Sequence, residues 1–230
     1  MGFSSGMNGS QIVKVGKVDG TLERDNYNPK VMSQFDRVVS ELKKDNPAGR
    51  LVLIDGVPGT GKTYLVRALI GALMENSACV IVPPSLMDSL SGPDFLMCLI
   101  RHRDSKQQPL TLILEDADNC LIDRELQKGD DQTAKNLSNL SALLNLSDGI
   151  LGATLNLRVV ATTNQQLRSV DKAVLRPGRL LEHIHVGGLE RQQAYAVYRR
   201  LTGRDPERGM EYEKDMTLAE VYEASRQIRA

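Results

Sequence analysis

The sequence predicts an α/β fold built around a doubly wound parallel sheet, and three features of the 230 residues support this. Short apolar runs, each the length of a buried strand, alternate with segments of helical periodicity. The first of these runs leads into a glycine-rich loop that opens a helix. With 41% hydrophobic residues, the chain can also build the core of one large domain, with or without a small appendage.

Five apolar runs are predicted to form the strands, because each has strand length and is bounded by turn or charged residues. They cover residues 51–54, 79–82, 110–114, 157–164 and 182–186. A first helix is predicted to begin after Asn28 and to end before Asn46, since its apolar residues recur on one face. Further helices are predicted over residues 64–74, 94–101, 137–144, 189–202 and 217–228. The charged stretch 121–136 is interpreted as an exposed loop or insertion.

Residues 56–63 match the phosphate-binding pattern G-x-x-x-x-G-K-[ST]. A strand precedes the motif and a helix follows it, so a chance match in an ordinary glycine-rich turn is disfavoured. Glycines let backbone N–H groups point at phosphate oxygens, and the start of the helix adds partial positive charge. We expect Lys62 to reach the β- and γ-phosphates of ATP and the Thr63 hydroxyl to bind Mg²⁺. The residues predicted to bind nucleotide are Gly56, Val57, Pro58, Gly59, Thr60, Gly61, Lys62, Thr63 and Tyr64.

The third apolar run ends in acidic residues, Glu115, Asp116 and Asp118. Parallel sheets bind ligands at the carboxyl ends of their strands, so these carboxylates are predicted to lie beside the phosphate-binding loop. A solvated acidic turn is the alternative, and the apolar run leading into it disfavours that reading. By position, Glu115 is predicted to hold Mg²⁺ with Thr63, partly through water, and Asp116 to activate the attacking water. Because Asp116 is one methylene shorter than glutamate, slow hydrolysis is expected to be possible.

Asn164 ends the fourth apolar run, and Arg176 and Arg179 follow it around a Pro-Gly pair. An asparagine after a strand is by itself only a turn signal. At the level of the phosphate-binding loop, however, Asn164 could hydrogen-bond the γ-phosphate or the attacking water. Arginines presented rigidly can stabilise the charge that develops during phosphoryl transfer, although surface ion pairs are the simpler alternative.

Composition narrows the classes of partner. Lys plus Arg equals Asp plus Glu, at 29 each, so no global charge attracts nucleic acid or an anionic membrane. The three cysteines have no metal-ligand spacing and are expected to be buried thiols in a reducing compartment, here the cytoplasm. No apolar run has the length of a membrane span, and the polar N-terminus does not look like a signal peptide. His183 and His185 are interpreted as structural, because no third metal ligand lies nearby.

Four motifs in order, GVPGTGKT, LILEDAD, VVATTNQ and DKAVLRPGR, resemble those of the AAA family of ATPases. The resemblance covers residues 50 to 185 and implies a P-loop domain with a five-stranded parallel sheet of order 5-1-4-3-2. It also implies that Asn164 is a sensor residue and that Arg176 and Arg179 act on the nucleotide of a neighbouring subunit. Within the family, the Glu-Asp order and the segment LSALLNLSDG are most similar to mitochondrial chaperones that translocate the Rieske iron–sulfur protein.

The resemblance also divides the chain into parts. Residues 1–20, rich in glycine and serine, are expected to form a flexible or loosely attached leader. Residues 21–187 are predicted to form the α/β nucleotide-binding domain, and residues 188–230 resemble the small helical lid of the family. Gly187 and Gly188 are predicted to form the hinge between the two.

The sequence therefore predicts a Mg²⁺-dependent ATP hydrolase that forms a homo-oligomeric ring, a hexamer by family resemblance, and remodels or translocates a protein partner. One alternative is a nucleotide-gated assembly module with weak hydrolysis, which the Glu-Asp order of Glu115 and Asp116 keeps open. Another is a DNA-associated loader, which the zero net charge and the paired arginines disfavour.

Overall fold

The computed structural model describes residues 1–6, 9–14, 16–90, 92–106, 108–118, 155–164, 178–205 and 215–226. The helix predicted over residues 137–144, the charged stretch 121–136 and Arg176 lie outside the described residues. The described strands are β1 (Gly2–Gly6), β2 (Gly9–Val13), β3 (Leu51–Asp55), β4 (Ala78–Val82), β5 (Leu110–Leu114), β6 (Leu157–Thr163) and β7 (Leu180–His185). The described α-helices are α1 (Pro29–Leu42), α2 (Lys62–Leu73), α3 (Pro93–Lys106), α4 (Arg191–Thr202) and α5 (Leu218–Arg226). Short 3-10 helices cover Arg24–Asn26 and Pro84–Ser89.

The strands form one sheet of order β2-β1-β4-β5-β6-β3-β7. From β4 to β7 all neighbouring strands are parallel, as the alternation of strands and helices predicted. Numbered along the chain from the strand before the P-loop, these five strands lie in the order 5-1-4-3-2. Every residue of β3, β5 and β6 is buried, which explains why these strands are nearly continuous apolar runs.

The N-terminal residues extend this sheet from five strands to seven. We expected a leader over residues 1–20, but β1 and β2 form an antiparallel hairpin, and β1 pairs in parallel with β4. Ile81 N donates to the Met1 carbonyl at 2.8 Å, and the Met1 amine donates to the Cys79 carbonyl at 2.9 Å. Sequence reasoning missed the hairpin because glycine and serine favour strands weakly. The hairpin is held at this place by backbone hydrogen bonds to the edge of β4, which the local sequence does not reveal.

Helices cover both faces of the sheet, and the P-loop lies at the carboxyl end of β3. Helix α1 begins where predicted, because the Asn28 side chain accepts a hydrogen bond from Val31 N at 2.9 Å and Pro29 occupies the first turn. Helices α1 and α2 pack on one face around Phe35, while α3 packs on the other face around Phe95. Among the described residues, no helix is long and apolar enough to cross a bilayer.

Helices α4 and α5 form a separate small core built around Ala194, Tyr198 and Val221. Helix α5 begins with the predicted cap: Thr217 Oγ1 accepts a hydrogen bond from Glu220 N at 3.3 Å, and Glu220 accepts one from Thr217 N at 2.7 Å. The second residue of α5, Ala219, donates its backbone N–H to the Gly59 carbonyl at 2.9 Å. This bond ties the small helical core to the phosphate-binding loop.

Arg158 in β6 is a buried cation, only 1% exposed, at the end of the sheet opposite the P-loop. Its Nη2 donates to the Lys44 carbonyl at 2.6 Å, just beyond the end of α1. The negative end of the helix dipole compensates part of its charge. Burial lowers the pKa of Arg158, and Nε and Nη1 have no hydrogen-bond partner in the described part of the chain.

Candidate active site

The phosphate-binding loop follows β3 and has a backbone that only glycine adopts easily. Gly56, Gly59 and Gly61 have φ angles of +151°, +84° and +96°. A Cβ on Gly56 would lie 2.1 Å from the Val186 carbonyl oxygen, so a side chain there would collide with the chain beyond β7. Gly61 is the N-cap of α2, whose first N–H groups have no acceptor within the helix. These amides and the helix dipole together favour an anion.

Lys62 lies inside this loop and is only 8% exposed. Its ammonium group donates to the Gly56 carbonyl at 2.6 Å, to the Val57 carbonyl at 3.1 Å and to Asn164 Oδ1 at 2.8 Å. Burial lowers the pKa of Lys62, whereas the charges of Asp116, Asp118 and Asp55 act in the opposite direction. The structure therefore holds a positive charge beside the loop and brings two predicted site residues, Lys62 and Asn164, into direct contact.

The acidic turn after β5 is bonded to the end of β6. Asp116 N donates to Thr162 Oγ1 at 2.9 Å, and Ala117 N donates to the Thr162 carbonyl at 2.8 Å. Asp116 has a φ of +53°, a left-handed conformation that aspartate tolerates better than most residues. Its carboxylate is exposed and lies 3.5 Å from Asn164 Nδ2. The predicted water-activating carboxylate and the predicted sensor amide are thus neighbours.

Glu115 is half-buried, and burial is the main reason that its pKa is raised. The Asp116 charge adds to this, whereas the nearby Thr63 hydroxyl and the Arg67 charge lower the pKa. Mg²⁺ in nucleotide sites takes one or two protein oxygens and completes its shell with waters and phosphate oxygens. The Thr63 hydroxyl at the start of α2 and the nearby Glu115 carboxyl group just after β5 fit that pattern.

A cleft of about 730 Å³ opens over the loop, large enough for a nucleotide. Its walls include the predicted residues Pro58, Gly59, Gly61, Lys62, Thr63, Tyr64, Asp116 and Asn164. The opposite wall, which no motif in the sequence predicted, comes from the segment before α1 and from α5. That wall includes Leu22, Asn26, Tyr27, Leu218, Ala219 and Tyr222.

Tyr27 holds the phosphate-binding loop through a hydrogen bond. Its hydroxyl donates to the Gly61 carbonyl at 2.9 Å, and its side chain is buried. Burial also raises the pKa of the Tyr27 hydroxyl, so the group stays protonated and remains a donor. Asn26, the residue before Tyr27, donates to the Tyr222 hydroxyl at 3.2 Å. This bond joins the segment before α1 to α5. Tyr222 packs against the core of the small helices and also lines the cleft.

Of the two arginines predicted from the sequence, Arg179 is the one in the described part of the chain, and it does not line this cleft. Arg176 is outside the described residues. The Arg179 carbonyl accepts hydrogen bonds from Arg50 N and Leu51 N, both at 2.9 Å, at the start of β3. The P-loop leaves the other end of β3, about 13 Å away at roughly 3.3 Å per residue. Arg179 is therefore remote from the P-loop of its own subunit.

A carboxylate and two imidazoles form a second cluster at the base of the P-loop. Asp55 Oδ1 lies 2.7 Å from His183 Nε2 and 3.1 Å from His185 Nδ1, and the Asp55 side chain is only 3% exposed. Burial alone raises the pKa of Asp55, but hydrogen bonds and charge from His183 and His185 outweigh it and lower the pKa overall. Both histidines therefore have the structural role predicted for them, since they hold the last residue of β3.

Replacing Asp55 with asparagine is expected to lower the free energy of unfolding at pH 7 by about 2 kcal/mol, because two imidazoles lose a charged acceptor. The folded pKa is lowered, so this contribution is complete above the unfolded pKa of about 3.9 and disappears as the pH falls through the folded value. Urea unfolding from pH 7 down to pH 3 measures it. The His185→Gln control, at an imidazole 62% exposed, should cost less than His183→Gln, at 23%. A pH-independent Asp55→Asn effect would contradict this account.

Comparisons with known proteins identify the family of the chain. The family model for the ATPase family associated with various cellular activities (AAA) matches residues 52–188, more than half of the chain. The bovine mitochondrial chaperone BCS1 is 35% identical over 156 residues, which cover 67% of this chain and 35% of the bovine protein. The human protein of that name is 33% identical over 178 residues, covering 72% and 40%. A 26S proteasome regulatory subunit 6B homolog from Dictyostelium discoideum is 30% identical over 162 residues, covering 70% and 38%.

The chain thus spans two fifths or less of the length of these curated relatives. The match nevertheless contains the P-loop, the acidic turn and the Asn164 strand, which build the phosphate-binding side of the cleft. The chain belongs to the AAA family of ATPases.

Proposed function

We propose that the chain is a Mg²⁺-dependent ATP hydrolase that assembles into a homo-oligomeric ring, a hexamer by family resemblance, and remodels or translocates a protein partner. One observation carries the hydrolase: Asn164 contacts both Lys62, at 2.8 Å from Oδ1, and Asp116, at 3.5 Å from Nδ2. A phosphate-binding cation, an amide and an exposed carboxylate thereby meet at one cleft. This is the set of groups that phosphoryl transfer to water requires.

Each residue has a defined role in this proposal. The loop amides and Lys62 bind the phosphates, and Thr63 and Glu115 hold Mg²⁺, partly through water. When bound, Mg²⁺ neutralises charge on the phosphate oxygens. Asp116 is exposed and accepts the proton of the attacking water, and Asn164 orients that water.

The ring completes the site in the same proposal. Arg176 and Arg179 supply cationic charge to the nucleotide of a neighbouring subunit, a contribution of about 10³- to 10⁵-fold to turnover where such an arginine is used. The position of Arg179, remote from its own P-loop, supports an action in trans over one in cis. Its side chain is only 9% exposed, so Arg176 is the first candidate.

Helices α4 and α5 act as the lid over the nucleotide. Leu218, Ala219 and Tyr222 of α5 line the cleft, and Ala219 bonds to Gly59 of the loop. A change in the nucleotide can therefore move the small helical core relative to the sheet. The two relatives named as mitochondrial chaperones support a protein partner for that movement. The cytoplasmic location expected from the sequence stays a prediction.

Steady-state ATP hydrolysis measured against protein concentration tests this function. We expect the activity per subunit to rise with concentration, and Arg176→Ala and Asp116→Ala to be nearly inactive when each is alone. A mixture of the two variants should regain activity, because some interfaces combine an intact arginine with an intact carboxylate. Arg179→Ala, mixed with Asp116→Ala in the same way, tests the second arginine.

Failure of the mixture to regain activity would contradict action across an interface. A wild type that binds ATP but hydrolyses none at any concentration would contradict the hydrolase itself. The nucleotide-gated assembly module would then be preferred, since the short side chain of Asp116 favours binding over turnover. Light scattering with and without ATP separates that module from an inactive monomer.

A further inference from the structure

The carboxylate of Asp118 holds Asn164 from two directions. Asp118 Oδ1 accepts hydrogen bonds from Asn164 N at 2.8 Å and from Thr163 Oγ1 at 2.6 Å. Asp118 Oδ2 accepts a third bond, from Asn164 Nδ2 at 3.1 Å. The backbone and the side chain of Asn164 are thus both fixed by one residue, located two positions beyond Asp116.

This arrangement determines which way the Asn164 amide points. An ionised carboxylate only accepts hydrogen bonds and an ammonium group only donates them. Asp118 on one side therefore requires the NH₂ group of Asn164, and Lys62 on the other side requires its oxygen. A flipped amide would place oxygen against carboxylate and NH₂ against ammonium, so the neighbours exclude that orientation.

The bonds of Asp118 also reach the acidic turn. Thr162 and Thr163 at the end of β6 bond to Asp116 N and to Asp118, so the turn and the strand form one unit. Since Asn164 Nδ2 lies between Asp118 and Asp116, its direction decides whether the amide can share a water with Asp116. From the sequence, Asp118 was only one of the acidic residues after the third apolar run, because spacing does not reveal such contacts.

We propose that Asp118 is a positioning residue for ATP hydrolysis, which acts by holding the Asn164 amide with its oxygen toward Lys62 and its NH₂ toward Asp116. This inference rests on the proposed function. It assigns to Asp118 an effect on turnover, with little effect on nucleotide affinity.

The isosteric variant Asp118→Asn tests the proposal. An asparagine side chain has one acceptor oxygen and one NH₂ group that only donates. It therefore cannot accept bonds at both oxygen positions of Asp118, and the Asn164 amide loses its fixed direction. We expect kcat for ATP to fall by about 10- to 100-fold, as found when the group that orients a reacting residue is lost. KM for ATP and the affinity for ATP should change by less than about threefold. The thermal midpoint is measured alongside.

Two further variants separate positioning from a structural role. In an Asn164→Ala background, Asp118→Asn should lower kcat little further, because the residue through which it acts is gone. Thr163→Val removes the other side-chain donor to Asp118 and leaves the Asn164 amide bond in place. It should lower the thermal midpoint and leave kcat within about twofold of the wild type.

The possible failures are distinguishable. A wild type without ATP turnover overturns the proposed function and this inference with it. An active wild type with an equally active Asp118→Asn variant overturns this inference alone. Losses that multiply in the double variant, or a KM that rises while kcat is unchanged, also overturn it, since Asp118 would then act independently of Asn164.

Discussion

Replacing Lys62 with methionine is expected to weaken the binding of Mg-ATP by at least about 100-fold. The variant keeps the length of the side chain and removes its charge. Loss of one partner from a buried charged contact costs about 3 kcal/mol or more, which corresponds to this factor. Lys62 is buried at the loop. Its ammonium group makes the hydrogen bonds to Gly56, Val57 and Asn164, and the methionine side chain makes none of them. Titration calorimetry with Mg-ATP measures the change.

Arg67→Met is the matched control for Lys62→Met. Arg67 lies on the same helix, is exposed and stacks over Tyr64, with 5.7 Å between the guanidinium carbon and the ring centre. Its replacement removes the same unit of charge outside the cleft and should change ATP affinity by less than about fivefold. Equal losses in the two variants would mean that general charge, and not the position of Lys62, attracts the nucleotide. Thermal midpoints without nucleotide exclude unfolding as the cause.

Gly56→Ala is expected to cause the largest loss of stability, about 4 kcal/mol. Two penalties add at this position. The φ angle of +151° is one that residues with a side chain rarely adopt, and the new Cβ would meet the Val186 carbonyl oxygen at 2.1 Å. The backbone must therefore move at the end of β3, where the P-loop begins. Urea unfolding of the whole chain measures the loss.

Gly203→Ala separates the two penalties. Gly203 also has a positive φ, +72°, but a Cβ there would meet nothing within 4 Å. Its replacement should cost only the strain of the left-handed conformation, about 1 kcal/mol. A Gly56→Ala variant no less stable than Gly203→Ala would show that the chain beyond β7 yields to the new methyl group. The close approach of Val186 would then not be a constraint on the loop.

The parallel sheet could be predicted because burial on both faces makes its central strands nearly continuous apolar runs. Leu51 to Ile54 and Leu110 to Leu114 are examples, and the structure buries all of these residues. Which strands pair with each other is decided by backbone groups, and backbone groups leave no pattern of side chains in the sequence. In the hairpin of β1 and β2, glycine or serine is present in four of the five residue pairs, and β1 also pairs with the edge of β4, which its own composition does not reveal.

The phosphate-binding half of the site could be predicted because its chemistry depends on local spacing. Gly59, Gly61 and Lys62 lie within one loop, and the structure places all three in the lining of the cleft. The other half depends on contacts between distant residues. Asn26 and Tyr222 bond across 196 positions of the chain, and Tyr27 reaches the Gly61 carbonyl from a separate segment. A pattern within one sequence does not reveal such pairs.

The N-terminal hairpin also bears on self-association. Strands at the ends of an open sheet present unpaired N–H and C=O groups, which can recruit a strand from another molecule. The hairpin covers the apolar strand β4 and leaves at that end the five-residue strand β2. At the opposite end, β7 alternates Glu182, His183 and His185 with its apolar residues. In the part of the chain that the structure describes, both ends of the sheet therefore have features that discourage aggregation through strand addition.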